Sequence, residues 1–188
     1  LDKKVDYVAH LAAIVGESAC KVVPELSKST NIDGTKNIIR SSLENKIKRL
    51  IFVSTCSSYG VQDTKIMAKE DTPLNPVSLY AETKISMEEH LRKNYDNELS
   101  YTIIRPSTVH GPSPRMRFDL IVNHFVKDAV LNGKLDIFGG NLWRPLMWVG
   151  EFGRAIDKIF SSDLKLVKNQ IFNLGNTKDN RKKAEVAE

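Results

Sequence analysis

The chain has 188 residues, 41% apolar and 27% charged, with a formal net charge of +5; this is an ordinary globular composition, long enough for one good core or a core with a smaller lobe. No run approaches the ~20 apolar residues of a membrane span, no signal-peptide pattern opens the chain, and Cys20 and Cys56 make neither a disulfide framework nor part of a zinc-spaced cluster. The expectation is therefore a cytoplasmic protein with no membrane association and no metal; Lys and Arg are scattered rather than striped, which also argues against nucleic acid as a partner.

Val5 to Ala9 reads as a central strand, followed by the turn His10-Leu11-Ala12-Ala13. Small residues directly after a strand let a flat ligand approach the backbone, or simply let a turn pack tightly. Glu17 to Ser29 turns helical around Pro24, and Asn31 then opens a helix to about Leu43, where it could serve as a cap. The charged turn Lys46 to Arg49 leads into Ile51–Thr55, a β-rich apolar run ending in the hydroxyls of Ser54 and Thr55. Open parallel sheets present their chemistry at the carboxyl ends of strands, so Thr55 stands where a hydroxyl could meet a substrate. Cys56 reads as a small buried residue in a snug turn rather than as a reactive thiol.

Residues 61–79 form a polar loop of the kind that carries function on a scaffold. The helix that follows, from Leu79 through His90, carries Tyr80 and Lys84 on one face, because residues at i and i+4 are neighbours. A tyrosine hydroxyl ionises near pH ~10, and an adjacent ammonium favours its anionic form. Such a tyrosine can exchange protons with a substrate hydroxyl at neutral pH.

Tyr101–Arg105 is another buried strand, running into Pro106-Ser107-Thr108-Val109-His110-Gly111-Pro112. Beyond Pro114 the composition changes. Phe118–Asn123 leads into an amphipathic helix that stops at Asn132-Gly133. Leu135–Gly140 then reads as a strand and turn, Gly153–Ile156 as helix, and Ile171–Asn176 as a late strand.

Thr55, Tyr80 and Lys84 together resemble the extended short-chain dehydrogenase/reductase family, and within it the NAD-dependent nucleotide-sugar epimerases and dehydratases. Asn31 to Asn37 matches N-x-x-G-T-x-N, and Glu70, Pro73, Pro76 and Tyr80 follow E-x-x-P-x-x-P-x-x-x-Y. Arg105 to Pro112 resembles R-P/Y-x-N-x-Y-G-P, with Thr108 for Asn and His110 for Tyr. Arg144 to Val149 resembles R-[DP]-[FY]-[IV]-H-V with Trp148 for His, and Phe172 to Gly175 resembles F-N-[LV]-G. The resemblance covers nearly the whole chain. It implies an α/β fold, a Rossmann-type parallel sheet flanked by helices with a smaller substrate-binding lobe, divided here as residues 1–112 and 113–188. None of the ten glycines lies in the family's G-x-x-G-x-x-G array, so the chain reads as the middle of a longer protein.

The resemblance also implies roles. Tyr80 would be the acid/base, Thr55 would hydrogen-bond the same substrate oxygen, and Lys84 would bind the nicotinamide ribose and lower the pKa of Tyr80. The cofactor would be NAD, with NADP not excluded, touching Leu11, Ala12, Ala13, Asn31, Ser54, Tyr80, Lys84, Pro106 and Ser107. The substrate would be a nucleotide-diphosphate sugar touching Cys56, Ser57, Thr108, Asp119 and Leu120, with Phe138 by the base and Arg144 on the diphosphate, where a guanidinium fits bidentate recognition. Cys56 and Ser57 stand where sugar 4,6-dehydratases carry an acidic pair, which disfavours a dehydratase and leaves an epimerase as the favoured reading; a homodimer is the expected assembly. A reductase or dehydrogenase of the same family, and a non-catalytic dinucleotide-binding sensor or scaffold, stay open as alternatives.

Overall fold

The apolar runs around Val8, Ile51 and Ile103 become three adjacent parallel strands, as near-continuous hydrophobic runs do when both faces of a sheet are covered. The computed structural model describes residues 4–61 and 67–188, so the part of the polar loop at 62–66 lies outside the described residues. In chain order the elements are β1 (Tyr7–His10), α1 (Glu17–Val22), α2 (Pro24–Lys28), a π-helical turn (Ser29–Asp33), α3 (Gly34–Glu44) and β2 (Arg49–Val53). A 3₁₀ turn (Cys56–Tyr59), α4 (Leu79–Asn94), β3 (Tyr101–Pro106), β4 (Thr108–His110), α5 (Ile121–Asn132) and β5 (Trp143–Trp148) follow. The chain continues through α6 (Val149–Ser161), α7 (Leu164–Val167), β6 (Gln170–Leu174), β7 (Asn180–Lys182) and α8 (Lys183–Ala187).

Two compact units result. The first comprises residues up to Arg105 together with Ile156–Asn173, and the second Pro106–Ala155 with Leu174–Glu188. The contiguous division at residue 112 expected from the sequence differs from this, because the segment from Ile156 returns to the first unit. Arg49 Nη1 donates to the carbonyls of Ile159 and Phe160 at 2.8 and 2.9 Å, which satisfies carbonyls of the last turn of α6. Thr102 Oγ1 donates to Val167 O at 2.7 Å, and Asn169 N to Tyr101 O at 2.6 Å.

The sheet of the first unit has the order β1-β2-β3-β6. β1 is parallel to β2, with Ala9 opposite Ile51, and β2 to β3, with Phe52 opposite Ile103. Among the described residues β1 pairs with β2 alone. Ile39 from α3, Leu50 and Phe52 from β2, Met87 and Leu91 from α4, and Tyr101 and Ile103 from β3 form one buried cluster. Burying each such side chain contributes roughly 1.5–3 kcal/mol, so α3 and α4 are held firmly on the sheet.

The second unit carries a three-stranded sheet of order β4-β5-β7, parallel between β4 and β5 and antiparallel between β5 and β7. The strand expected over Leu135–Phe138 does not form. Both edges of β5 are already taken by β4 and β7, and nearby backbone acceptors serve α8 instead, through Lys183 N to Leu142 O and Ala184 N to Gly140 O, both 3.0 Å. Helix α5 ends at Gly133, where the Asn-Gly pair signals a stop.

Candidate functional site

In the first unit the chemistry gathers at the carboxyl end of β2. Ser78 caps α4, its hydroxyl accepting from Ala81 N at 3.3 Å, which places Tyr80 and Lys84 in the first two turns of that helix. Lys84 is 2% exposed. Its Nζ donates to Val53 O at 2.9 Å, lies 5.1 Å from the centroid of the Phe52 ring and 6.0 Å from that of the half-buried Tyr80 ring. Burial lowers its pKa to about 8, opposed by Cys20 and Glu88.

Thr55 is buried two residues beyond β2 and caps the 3₁₀ turn, its Oγ1 accepting from Ser57 N at 3.1 Å. A hydroxyl that accepts in this way keeps its own proton to donate. The turn closes at Gly60 with φ +66°, where a Cβ would stand 1.8 Å from Asn75 O. Only glycine fits there. Cys56 is half-buried and Ser57 exposed, while the buried Ser54 hydroxyl donates to Glu88.

Asn31 was expected as a helix opener. It lies instead inside the π-helical turn, 1% exposed, and α3 begins only at Gly34. Its amide is spent elsewhere, with Oδ1 accepting from Ile14 N at 2.8 Å and Nδ2 donating to Ile14 O at 3.0 Å and to Thr83 Oγ1 at 3.2 Å. Asn31 thus ties the irregular stretch containing Leu11, Ala12 and Ala13 to α4, one residue before Lys84. Leu11 and Ala12 are exposed and Ala13 is half-buried.

His10, at the end of β1, is a buried group that the sequence did not single out. Its Nε2 lies 2.9 Å from Thr35 Oγ1, whose own proton goes to Asn31 O at 2.6 Å. Nε2 must therefore be the protonated ring nitrogen. Burial, and secondarily the charge of Lys84, lower the His10 pKa to about 4. Between about pH 6.5 and that value the unfolded chain binds a proton that the folded chain does not, so stability falls as the pH drops through this window. In thermal melts at pH 7 and pH 4.5, the drop in Tm is expected to be smaller for His10→Gln than for the parent protein.

In the second unit, Thr108, Asp119, Leu120, Phe138 and Arg144 line one cavity of about 320 Å³, joined by His124, Asp136 and Lys183. All five substrate residues expected beyond Pro106 are therefore brought together. Arg144 Nη1 donates to Trp143 O at 2.8 Å, and Lys183 Nζ to Phe138 O at 3.1 Å. Burial, then the charge of Arg144, lower the pKa of Lys183. Two cations this close suit an anionic ligand. Asp119 pairs with Arg117 at 2.6 Å, which holds its carboxyl below the usual range. The Phe138 ring is 83% exposed, a face open for stacking. Pro106 is buried, and Ser107 donates from both N and Oγ to Leu174 O, at 2.7 and 2.9 Å.

A more open hollow of about 510 Å³, lined by Met147, Glu151, Arg154 and Asn176 among others, contains none of the expected residues. Among the described residues no group of three or more His, Cys, Asp or Glu side chains could hold a metal ion, and no helix is long and apolar enough to cross a membrane.

A parallel sheet flanked by helices, with a hydroxyl, a tyrosine and a lysine at a strand end, defines a Rossmann-type α/β protein. The chain belongs to the NAD dependent epimerase/dehydratase family, which matches residues 1–175. It is 30% identical to a UDP-glucose 4-epimerase of Lactobacillus helveticus over 195 residues, covering 93% of this chain and 57% of that protein. Among solved structures it resembles the UDP-N-acetylglucosamine 4-epimerase of Methanobrevibacter ruminantium M1 in complex with UDP-N-acetylmuramic acid, at 30% identity and a TM-score of 0.78, covering 90% of this chain and 55% of that one. It is also similar to the UDP-glucuronic acid 4-epimerase of Bacillus cereus in complex with UDP-glucuronic acid and NAD, at 28% identity and a TM-score of 0.81, covering 92% and 54%. The chain thus spans about half the length of these relatives.

Proposed function

We propose that this protein epimerises a nucleotide-diphosphate sugar through a transient keto-sugar, using NAD, with Tyr80 as the acid/base. The observation that carries the reading is the buried Lys84 ammonium, fixed on Val53 O at the end of β2 and beside the Tyr80 ring on the same helix face. The residues fit a dinucleotide. A cation stands at the carboxyl end of a parallel strand, and Leu11 and Ala12, directly after β1, are exposed. NAD, when bound, supplies the hydride acceptor and donor.

The chain's own residues handle the proton and the orientation. Tyr80 takes the proton from a sugar hydroxyl and returns it, Thr55 donates a hydrogen bond to that oxygen, and Lys84 holds positive charge next to the tyrosine. In the second unit Arg144, with Lys183 beside it, binds the diphosphate, and Phe138 offers its ring to the base. The named epimerase relatives act on UDP-glucose and UDP-glucuronate, so UDP-sugars are the first class to assay. A homodimer is the expected assembly, checked by sedimentation.

Two outcomes test this assignment. Arg144→Met is expected to raise KM for a UDP-sugar by about 10–100-fold with kcat little changed, since a hydrogen bond to a charged group contributes ~1.5–3 kcal/mol. An unchanged KM would remove Arg144 from the diphosphate site. Turnover requires the charged form of Lys84, so kcat/KM is expected to fall as pH rises through about 8, the pKa that burial gives this lysine.

A further inference from the structure

Glu88 lies one helical turn beyond Lys84 on α4, and its side chain is 2% exposed. It accepts from the Ser54 hydroxyl and from Arg105, whose Nη2 lies 2.6 Å from Oε2 and whose Nε lies 3.1 and 3.2 Å from the two oxygens. Arg105, at 3% exposure, carries the network onward. Its Nη1 donates to Tyr59 Oη at 2.8 Å and to Glu70 O at 3.1 Å, and the Tyr59 hydroxyl donates to Asn173 Oδ1 at 2.6 Å.

Ser54 and Tyr59 are the two ends of the short stretch that carries Thr55. One ion pair therefore holds both ends, Glu88 gripping Ser54 and Arg105 gripping Tyr59. Stability alone is a poor reason for such a pair, because apolar residues of similar volume often serve a core as well or better. What they cannot supply is direction, since a forked guanidinium and a carboxylate fix the groups around them in angle as well as distance. Glu88 also opposes the effect of burial on Lys84, so the same carboxylate bears on two members of the catalytic set.

We infer that Glu88 and Arg105 are positioning residues, a buried bracket that fixes the Ser54–Tyr59 turn so that the Thr55 hydroxyl is presented to the substrate oxygen. The inference rests on the epimerase reading for what Thr55 does, but the bracket itself can be read without turnover. The test is the double variant Glu88→Met with Arg105→Met, whose apolar side chains leave no unpaired buried charge, compared with Glu88→Gln and Thr55→Ala. Amide hydrogen exchange at Ser57, Ser58 and Gly60 is followed by mass spectrometry, and kcat and KM are measured with NAD and a UDP-sugar turned over by the parent protein.

In the double variant, exchange in the turn is expected to speed up by tenfold or more while α3 keeps its protection, and kcat to fall by about 10²-fold with KM little changed, the loss that a ~1 Å misplacement can cause. Glu88→Gln keeps an acceptor for Ser54 and should recover part of the kcat. Unchanged exchange in the turn overturns the bracket, whatever the activity. If Thr55→Ala lowers kcat and the double variant does not, the positioning role is overturned and the epimerase reading stands. If Thr55→Ala has no effect on kcat, the assigned role of Thr55 is what fails, and faster exchange in the double variant still supports the bracket.

Discussion

Tyr80→Phe is expected to lower epimerase turnover by about 10²–10⁴-fold, the range that a positioned proton carrier contributes. The substitution removes one oxygen and keeps the ring, so the packing of the first turn of α4, the cap from Ser78 and the Lys84 bond to Val53 O should all survive. KM should therefore move little, since the lost interaction belongs to proton transfer and not to binding. The measurement is a kcat comparison on the same UDP-sugar, with circular dichroism to verify the fold. A loss of less than about tenfold would show that another group carries the proton. His10 is a poor substitute, because its Nε2 proton is committed to Thr35.

The second large effect concerns stability. Arg105→Met alone is expected to destabilise the protein by about 3–5 kcal/mol, because it leaves the Glu88 carboxylate buried without its counter-ion. For a chain of this size each kcal/mol lowers Tm by roughly 2–4 °C, so a fall on the order of 10 °C should be plain in a thermal melt. Adding Glu88→Met should recover most of it. If Arg105→Met melted within about 2 °C of the parent, the pair would be solvated and not the buried network described.

Much of the fold is legible in the sequence where it depends on local pattern. Apolar β-rich runs became β1, β2 and β3, and the four-residue spacing of Tyr80 and Lys84 put them on one face of α4. What escaped depends on tertiary partners. Glu88 and Glu89 are neighbours of the same type, yet Glu88 is buried on Arg105 while Glu89 pairs with Lys93 in solvent. No local signal separates them. Lys183 belongs to the basic run Arg181-Lys182-Lys183, and only the turn through Phe138 determines which of the three meets the cavity.

The remaining differences have the same root. Leu135–Phe138 has strand composition but pairs with no strand, its neighbourhood being bonded to α8 instead, and Ile156–Asn173 rejoins the first unit through bonds to Arg49, Tyr101 and Thr102 that no spacing predicts. Asn31 was recognisable by its motif, but its use as a clamp between Ile14 and Thr83 spans 17 residues in one direction and 52 in the other.

The most direct test of the account is to incubate the purified protein with NAD and, separately, UDP-glucose, UDP-N-acetylglucosamine and UDP-glucuronate, following the sugar by proton NMR and the nicotinamide by absorbance. The account predicts that at least one sugar is converted to its epimer with no net change in the amount of reduced nicotinamide. Accumulation or consumption of reduced nicotinamide in proportion to product, or no binding and no conversion with any of the three, would contradict it.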